Sequence, residues 1–294
     1  MENVKEIRKK IESISNTKKI TKAMEMISIS KIKKIEKKIK ENQFYSKIIK
    51  KTYNRFLSQK ILSNNIFLKE KKKIKTICII CIFTNKGLCG SLNTNLFKKI
   101  LIFLKKISIK KISFKLMLYG LKSRSFFNHI KKKDLYFFKN SIKNNFKEFK
   151  LKKIFNFFSK KYLKKKFDKV YIAYNYFRNK FCFSPKIVQL LPLLKQSYNK
   201  KKKYFLGNYI HELELSKIIQ YFLKLYSYNK FYKFILSNLA CENCSRMISM
   251  KKASDSSKKI ISELKIFYNK VRQSNITQEL NEIISGTSTI ISDF

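Results

Sequence analysis

Two long stretches without proline or glycine, one at each end of the chain, constrain the fold more than any other feature. The first runs from residue 1 to about residue 59, and the second from about residue 211 to residue 285. Apolar residues recur at steps of three and four along both stretches, which predicts helices. A helix covering the first stretch would span roughly 85 Å, too long for one compact domain to cover. We therefore expect the two helices to pair as an antiparallel coiled coil.

The apolar positions of the first helix do not follow one continuous register. The phase slips between Ile14 and Ile20 and again after Ile27, so no single heptad face runs along the helix. We expect the second helix to stop at Gly286, because glycine is the commonest residue just past a helix end. The apolar positions expected to form the seam of the first helix are Val4, Ile7, Ile11, Ile14, Ile20, Met24, Ile27, Ile32, Ile35 and Ile39.

The pattern changes between these helices. Apolar, β-branched runs alternate with helical stretches, which predicts a small, largely parallel, Rossmann-like α/β sheet covered on both faces. The expected strands are 75–84, 112–120, 167–177 and 183–193, with helices at 94–107 and 141–165. The expected domains are an N-terminal coiled-coil helix at 1–59, an α/β domain at 75–195 and a C-terminal coiled-coil helix at 209–286.

The segment "TNKGLCGSLN" at 84–93 follows the first strand, where a doubly wound domain binds phosphate with backbone N–H groups. Its two glycines, Gly87 and Gly90, fit neither G-x-G-x-x-G nor G-x-x-x-x-G-K-[ST]. Glycines of a tight turn are the favoured interpretation. Asn93 and Thr94 are then expected to cap the next helix.

Six cysteines raise the alternative of a zinc site, because Cys78-x-x-Cys81 and Cys241-x-x-Cys244 have the spacing of paired ligands. Cys78 and Cys81 lie in a strand, where positions three apart point to opposite faces. Cys241 and Cys244 can share a helix face but have no second pair on a compatible turn. Buried, unreactive thiols are therefore favoured.

Residues suited to catalysis are few. His129 and His211 have no evident nucleophile beside them in the sequence, and the chain holds only 18 Asp and Glu residues. The sequence therefore predicts no catalytic, cofactor or metal site.

A formal net charge of +50 indicates nucleic acid or an anionic surface as one class of partner. Only six of the 68 basic residues are arginine, although arginine is the better residue for bidentate recognition of phosphates and bases. The lysine excess, with abundant Ile, Asn, Phe and Tyr, is typical of an AT-rich coding sequence. A basic coiled-coil nucleic-acid-binding protein stays open as the alternative function.

The C-terminal end departs from this composition. The last 24 residues hold one basic side chain, Arg272, where the overall composition predicts about five or six. Solvated helix faces elsewhere in the chain are filled with lysine, and this one is not. Ile276, Leu280, Ile283 and Ile284 nevertheless keep helical spacing there.

Several segments resemble the γ subunit of F-type ATP synthases, the central rotating stalk. They are "KEIRKKIESISNTKKITKAMEMISISK" (5–31), "GLCGSLN" (87–93), "YGLKSRSFFN" (119–128), "IVQLLPL" (187–193) and the long run 245–290. The resemblance implies a shaft of paired terminal helices inside a ring of α and β subunits. It also implies an α/β base against the ε subunit and the c-subunit ring, with no active site or cofactor in this chain.

The same resemblance implies a location and a set of contact residues. The chain would lie peripherally on the cytoplasmic face of a bacterial inner membrane, turned by the proton-driven ring and without nucleic acid as a partner. The shaft would contact the β subunits through Met24, Arg272, Gln273, Thr277, Glu279 and Glu282. The seventh contact residue, Arg246, would lie near the base of the shaft.

Overall fold

A computed structural model describes residues 4–57, 66–69, 71, 73–128, 135–137, 148–193 and 214–292. His129 and His211, for which no catalytic role is expected from the sequence, lie outside these residues. The same holds for the first part of the helix expected at 141–165.

The two terminal helices are confirmed. Helix α1 runs over Val4–Leu57, and the last helix, α5, runs over Leu215–Ser292. The expectation that Gly286 ends the last helix is wrong, because α5 continues through it. A glycine stops a helix when it takes a left-handed conformation, which Gly90 and Gly120 adopt and Gly286 does not. Within a helix, a single glycine costs only about 1 kcal/mol relative to alanine.

The chain forms two compact units. Residues 1–29 and 246–294 form one, and residues 30–245 form the other, so α1 and α5 each contribute to both. We call the first the shaft unit and the second the α/β unit. The domain limits expected from sequence follow the ends of helices and strands, and they stay a prediction.

The α/β unit is built on a five-stranded sheet with the order β3-β2-β1-β4-β5. The first four of these pair in parallel and β5 pairs antiparallel to β4, which confirms a largely parallel sheet. The bounds of its elements are β1 Thr76–Ile82, α2 Leu92–Ile109, β2 Ser113–Tyr119, α3 Ser123–Phe126, β3 Leu135–Phe137, α4 Glu148–Leu163, β4 Lys169–Phe177 and β5 Phe183–Leu191.

Strand β1 is buried on both faces, as a central parallel strand requires. On one face, Cys78, Ile80 and Ile82 belong to a core with residues of α4 and α5. On the other face, Ile79 and Cys81 belong to a second core with residues of α2. Cys78 and Cys81 therefore lie on opposite sides of the sheet, as their spacing in a strand predicts.

Within the α/β unit, α1 and α5 pack against each other in antiparallel order. Asn42 Nδ2 donates to Asn229 Oδ1 at 3.0 Å. Further along α1, the ring of Tyr53 stacks on that of Tyr226 at 4.3 Å between centroids, so residue numbers rise on α1 as they fall on α5. These contacts confirm the antiparallel pairing of the terminal helices.

A buried carboxylate fixes the start of two adjacent strands. Asp168, which precedes β4 and is 8% exposed, accepts hydrogen bonds from the backbone N–H groups of Lys75 and Thr76 at 2.7 and 2.9 Å. It also pairs with the ammonium group of Lys71. Burial alone would raise the pKa of Asp168, but the hydrogen bonds from Lys71, Thr76 and Lys75 outweigh it and lower that pKa.

We predict that Asp168→Asn lowers the free energy of unfolding by about 1–2 kcal/mol above pH 5, because charge-assisted hydrogen bonds are replaced by neutral ones. A lowered pKa in the folded state stabilises above the unfolded-state value of about 3.9, and this stabilisation is lost as the pH falls through the folded-state pKa. The difference between wild type and variant should therefore shrink below about pH 4. Urea titrations of the full chain at several pH values measure it.

Asp255→Asn is the matched control, because Asp255 is exposed on α5. Equal urea midpoints for the two variants at pH 7 would show that Asp168 does not hold the strands.

Candidate partner-binding surface

The turn at residues 84–93 is held by its own side chains. Thr84 Oγ1 donates to the carbonyl of Lys86 at 2.8 Å, and Asn93 Nδ2 donates to Thr84 Oγ1 at 2.7 Å. The expectation that Asn93 and Thr94 cap α2 is wrong, because α2 begins at Leu92 and both residues lie in its first turn. Asn93 is buried and ties the helix to the end of β1 instead.

Helix α5 covers the edge of the sheet where a doubly wound domain would bind a nucleotide. Ser245 Oγ donates to the carbonyl of Cys89 at 2.5 Å, and it lies 3.6 Å from where a Cβ on Gly90 would stand. At the end of β4, Asn238 Oδ1 accepts hydrogen bonds from the backbone and side-chain amides of Asn175 at 3.1 and 3.0 Å. The backbone groups at this edge therefore contact α5.

The buried thiols are held in their protonated form. Burial raises the pKa of the Cys78, Cys81 and Cys241 thiols well above the usual value. Burial, with a smaller effect of Glu36, raises the pKa of Cys244 to about 11. Because the thiolate is the nucleophile and the metal ligand, these cysteines act as packing groups.

The shaft unit exposes the end of α5. Every residue from Ile276 to Thr287 is exposed. Four of them are large and apolar, with exposed fractions of 47% for Ile276, 53% for Leu280 and 63% for both Ile283 and Ile284. Contiguous apolar surface of this kind on a folded protein marks a site of interaction.

Charged and polar candidates surround these apolar residues on the same turns of helix. At about 100° per residue, Arg272, Ile276, Leu280 and Ile283 fall within an arc of roughly 80°. Gln273 and Thr277 extend this face on one side, and Glu279 and Glu282 lie on the other. Arg272, Gln273, Thr277, Glu279 and Glu282 are all exposed. The structure thus brings these five candidates together on three turns of α5.

The remaining two candidates lie elsewhere in the shaft unit, and both are half-buried. Met24 is on α1. Arg246 precedes Arg272 by 26 residues on α5, which is about 39 Å along a helix. The seven candidates are therefore distributed along the unit and do not lie together in a single pocket.

Between Ile20 and Ser28 of α1, the buried side chains are polar and two isoleucines are exposed. Thr21, Glu25 and Ser28 are 9%, 7% and 2% exposed. Ile20 and Ile27, which were expected to form the seam, are 59% and 54% exposed. The expectation is wrong for these two positions, where the neighbouring polar residues Thr21 and Ser28 are buried instead. Ile7 and Ile32 are buried as expected, at 0% and 3% exposed.

The hydroxyl groups explain why this arrangement is stable. Thr21 Oγ1 donates to the carbonyl of Lys18 at 3.0 Å, and Ser28 Oγ donates to the carbonyl of Met24 at 2.8 Å. On α5, the buried Ser257 donates to Ala253 O at 2.8 Å. Small side chains whose hydroxyls are bonded to their own helix can be buried without an unsatisfied polar group.

Sequence reasoning missed the outward apolar residues Ile20, Met26 and Ile27. Their exposure on α1 matches that of the α5 end, since each is more than half exposed. A signal was present in the sequence: the Thr21, Glu25 and Ser28 positions also follow steps of three and four, and helix seams of small residues allow close approach.

The comparisons with known proteins match the chain over most of its length and agree with one another. A model of the ATP synthase family matches residues 3–290. A relative from Buchnera aphidicola subsp. Melaphis rhois, described as an ATP synthase gamma chain, is 42% identical over 290 residues that cover 99% of each chain. The chain belongs to the ATP synthase gamma-chain family. A second member, from the subspecies Diuraphis noxia, is 41% identical over 99% of each chain.

Solved structures support the fold of this family member. A chain of the Euglena gracilis mitochondrial ATP synthase, from a structure of its OSCP, F1 and c-ring, aligns with a TM-score of 0.66 at 16% identity, over 98% of this chain and 94% of that one. A chain from the central stalk and c-ring of the Tetrahymena thermophila enzyme aligns with a TM-score of 0.57 at 23% identity, over 80% and 99%. Within the described part of the gamma chain, no helix is both long and apolar enough to cross a membrane.

Hydrophobicity alone suggests that Ile27→Ser destabilises the helix pair more than Ser28→Leu does. We predict the reverse order of destabilisation. Ser28→Leu should lower the free energy of unfolding by about 1–3 kcal/mol, because a buried site has no room for the added atoms. Ile27→Ser should change it by no more than about 0.5 kcal/mol, because the side chain is exposed. Chemical denaturation of the full chain measures both. A larger loss in Ile27→Ser would place the seam on the apolar stripe after all.

Proposed function

We propose that this chain is the central rotating shaft of a proton-driven ATP synthase and has no active site of its own. It would turn with the c-subunit ring inside a head of α and β subunits, with the ε subunit bound at its base. Each catalytic β subunit would change its nucleotide affinity as the uneven surface of the shaft passes it. The observation that carries this proposal is the exposed, apolar and lysine-free end of α5.

An apolar, lysine-free surface suits a shaft that turns inside a ring of α and β subunits, which we call the protein sleeve. A lysine on a turning shaft would be desolvated repeatedly without a fixed partner, which costs several kcal/mol each time. Apolar side chains lose nothing when they slide from one apolar neighbour to the next, because the hydrophobic effect is non-directional. Residues 273–294 contain no lysine or arginine, although the whole chain carries 68.

The contact residues are part of the proposal. Arg272, Gln273 and Thr277 supply hydrogen-bonding groups on an apolar face, and Glu279 and Glu282 add negative charge beside it. We assign these five, with Met24, to contacts with the β subunits. Arg246 would act near the base of the shaft.

Two observations support the proposal that this chain is not catalytic. Side chains of α5, such as Ser245, cover the sheet edge where a nucleotide would bind. The buried thiols, Cys241 among them, keep a raised pKa and are poor nucleophiles. We propose that the chain acts peripherally at the cytoplasmic face of a bacterial inner membrane.

Nucleic-acid binding is not supported. The family match spans residues 3–290 and belongs to ATP synthase. The large exposed apolar residues at the end of α5 are also the opposite of the basic, arginine-rich surface that binds a phosphate backbone. The high lysine content then has no assigned role.

We predict that Leu280→Lys leaves the isolated chain as stable as wild type, because Leu280 is 53% exposed. In the assembled complex it should reduce proton-driven ATP synthesis by about tenfold or more, since each 1.4 kcal/mol added to a barrier costs about that factor. ATP synthesis and ATP hydrolysis in inverted membrane vesicles measure the effect.

Ser184→Lys is the control, because Ser184 is an exposed residue on β5 in the α/β unit and gains the same charge. Equal synthesis rates for Leu280→Lys and Ser184→Lys, with each variant chain present in the complex, would contradict the proposal that α and β subunits enclose the end of α5.

A further inference from the structure

A groove in the α/β unit lies between α1, α4 and α5, away from the contact surface described above. One end is a cavity of about 290 Å³, and the adjoining end is a cavity of about 190 Å³. Lys152, Leu225 and Tyr228 line both ends, so the two form one continuous space. The first end is also lined by Asn42, Tyr45, Asn229 and Tyr232, and the second by Phe155, Asn156, Tyr221 and Lys224.

The side chain of Asn229 presents a hydrogen-bond donor to this groove. Asn229 is only 5% exposed, and its Oδ1 accepts hydrogen bonds from Asn42 Nδ2 at 3.0 Å and from Ser46 Oγ at 3.3 Å. Within the described residues, nothing accepts a hydrogen bond from its Nδ2. This nitrogen is not among the fully buried atoms, so it opens to the groove and can donate to a ligand that supplies an acceptor.

The charge of the groove has one sign. Lys152 stands in the wall of both ends, and Lys224 adds a second ammonium group at the far end. Among the residues that the structure describes, no carboxylate lines the groove and none pairs with Lys152. The ammonium group and the Asn229 amide are both hydrogen-bond donors, and together they suit an anion with several oxygens, such as a phosphate.

Aromatic rings form the body of the groove. Tyr228 packs edge-on against Phe155 at 5.4 Å and nearly parallel to Tyr232 at 6.4 Å between centroids. These contacts hold the ring of Tyr228 in place between the two ends. A fixed ring of this kind is a surface on which a planar organic group can stack.

We propose that this groove is a binding site for a phosphate monoester carried on a small aromatic body. The phosphate lies between the ammonium group of Lys152 and the Nδ2 of Asn229. The aromatic body lies along Tyr228 toward Tyr221 and Phe155. The site is separate from the rotor function and from the residues assigned to it.

The test is calorimetric titration of the full chain with phenyl phosphate and with inorganic phosphate, at an ionic strength fixed by potassium chloride. A chain of net charge +50 attracts anions everywhere, so every variant must change the charge equally. Asn229→Asp and Lys152→Gln alter the site, and Lys160→Gln alters an exposed lysine on the same helix. All three lower the net charge by the same one unit.

Asn229→Asp is the sharpest of the variants. The aspartate retains an oxygen that accepts from Asn42 and Ser46, while its second oxygen replaces the donor and repels the phosphate. Thermal unfolding of each variant confirms that it is folded.

Wild type and Lys160→Gln should bind phenyl phosphate saturably at one site. Asn229→Asp and Lys152→Gln should bind it at least about tenfold more weakly, as expected for the loss of a charge-assisted hydrogen bond. Equal binding by all four proteins would mean non-specific attraction to a cationic surface and would overturn the proposal. Equal affinity for inorganic phosphate and phenyl phosphate in wild type would overturn the aromatic half of it.

Discussion

The packing of α5 into the α/β unit is the interaction on which the rest of the structure depends. Phe231 and Ile235 of this helix are buried in the larger core, and each such side chain contributes about 1.5–3 kcal/mol through burial. Its polar side chains then complete the sheet, since Asn238 and Ser237 bond to the end of β4. A helix bound by both kinds of contact cannot slide along the sheet, because every hydrogen bond fixes its position.

The consequence for function is that a single continuous helix links two very different surroundings. In the α/β unit, α5 is buried among aromatic rings and bonded to strands. In the shaft unit, the same helix includes twelve consecutive exposed residues, 276–287, several of them apolar. The sheet edge that binds nucleotides in doubly wound domains is covered here by the chain's own helix. This cover agrees with a turn at that edge that has glycines but no phosphate-binding motif.

The architecture could be predicted from sequence, and the packing of the shaft could be predicted only in part. Two long stretches without Pro or Gly predict the helices, and β-branched runs predict the strands, because both signals are local. The packing between the two helices depends on contacts that are distant in sequence. Ile20 and Ile27 have the hydrophobicity of core residues but are exposed, whereas Thr21 and Ser28 are small enough to be buried. Asn93 shows the same limit. The sequence does not distinguish an asparagine that caps a helix from one that bonds to Thr84, nine positions away. The short strand β3 at 135–137 was missed because three residues carry too little pattern.

The most direct test of the central claim is single-molecule observation of rotation in the assembled complex. The complex is fixed through its head, and a probe is attached to this chain at Cys182, the one exposed cysteine among the six. ATP hydrolysis should then turn the probe in one direction and stop doing so when ATP is withdrawn. A probe that stays still relative to the head while ATP is hydrolysed at full rate would contradict the role of this chain as the shaft.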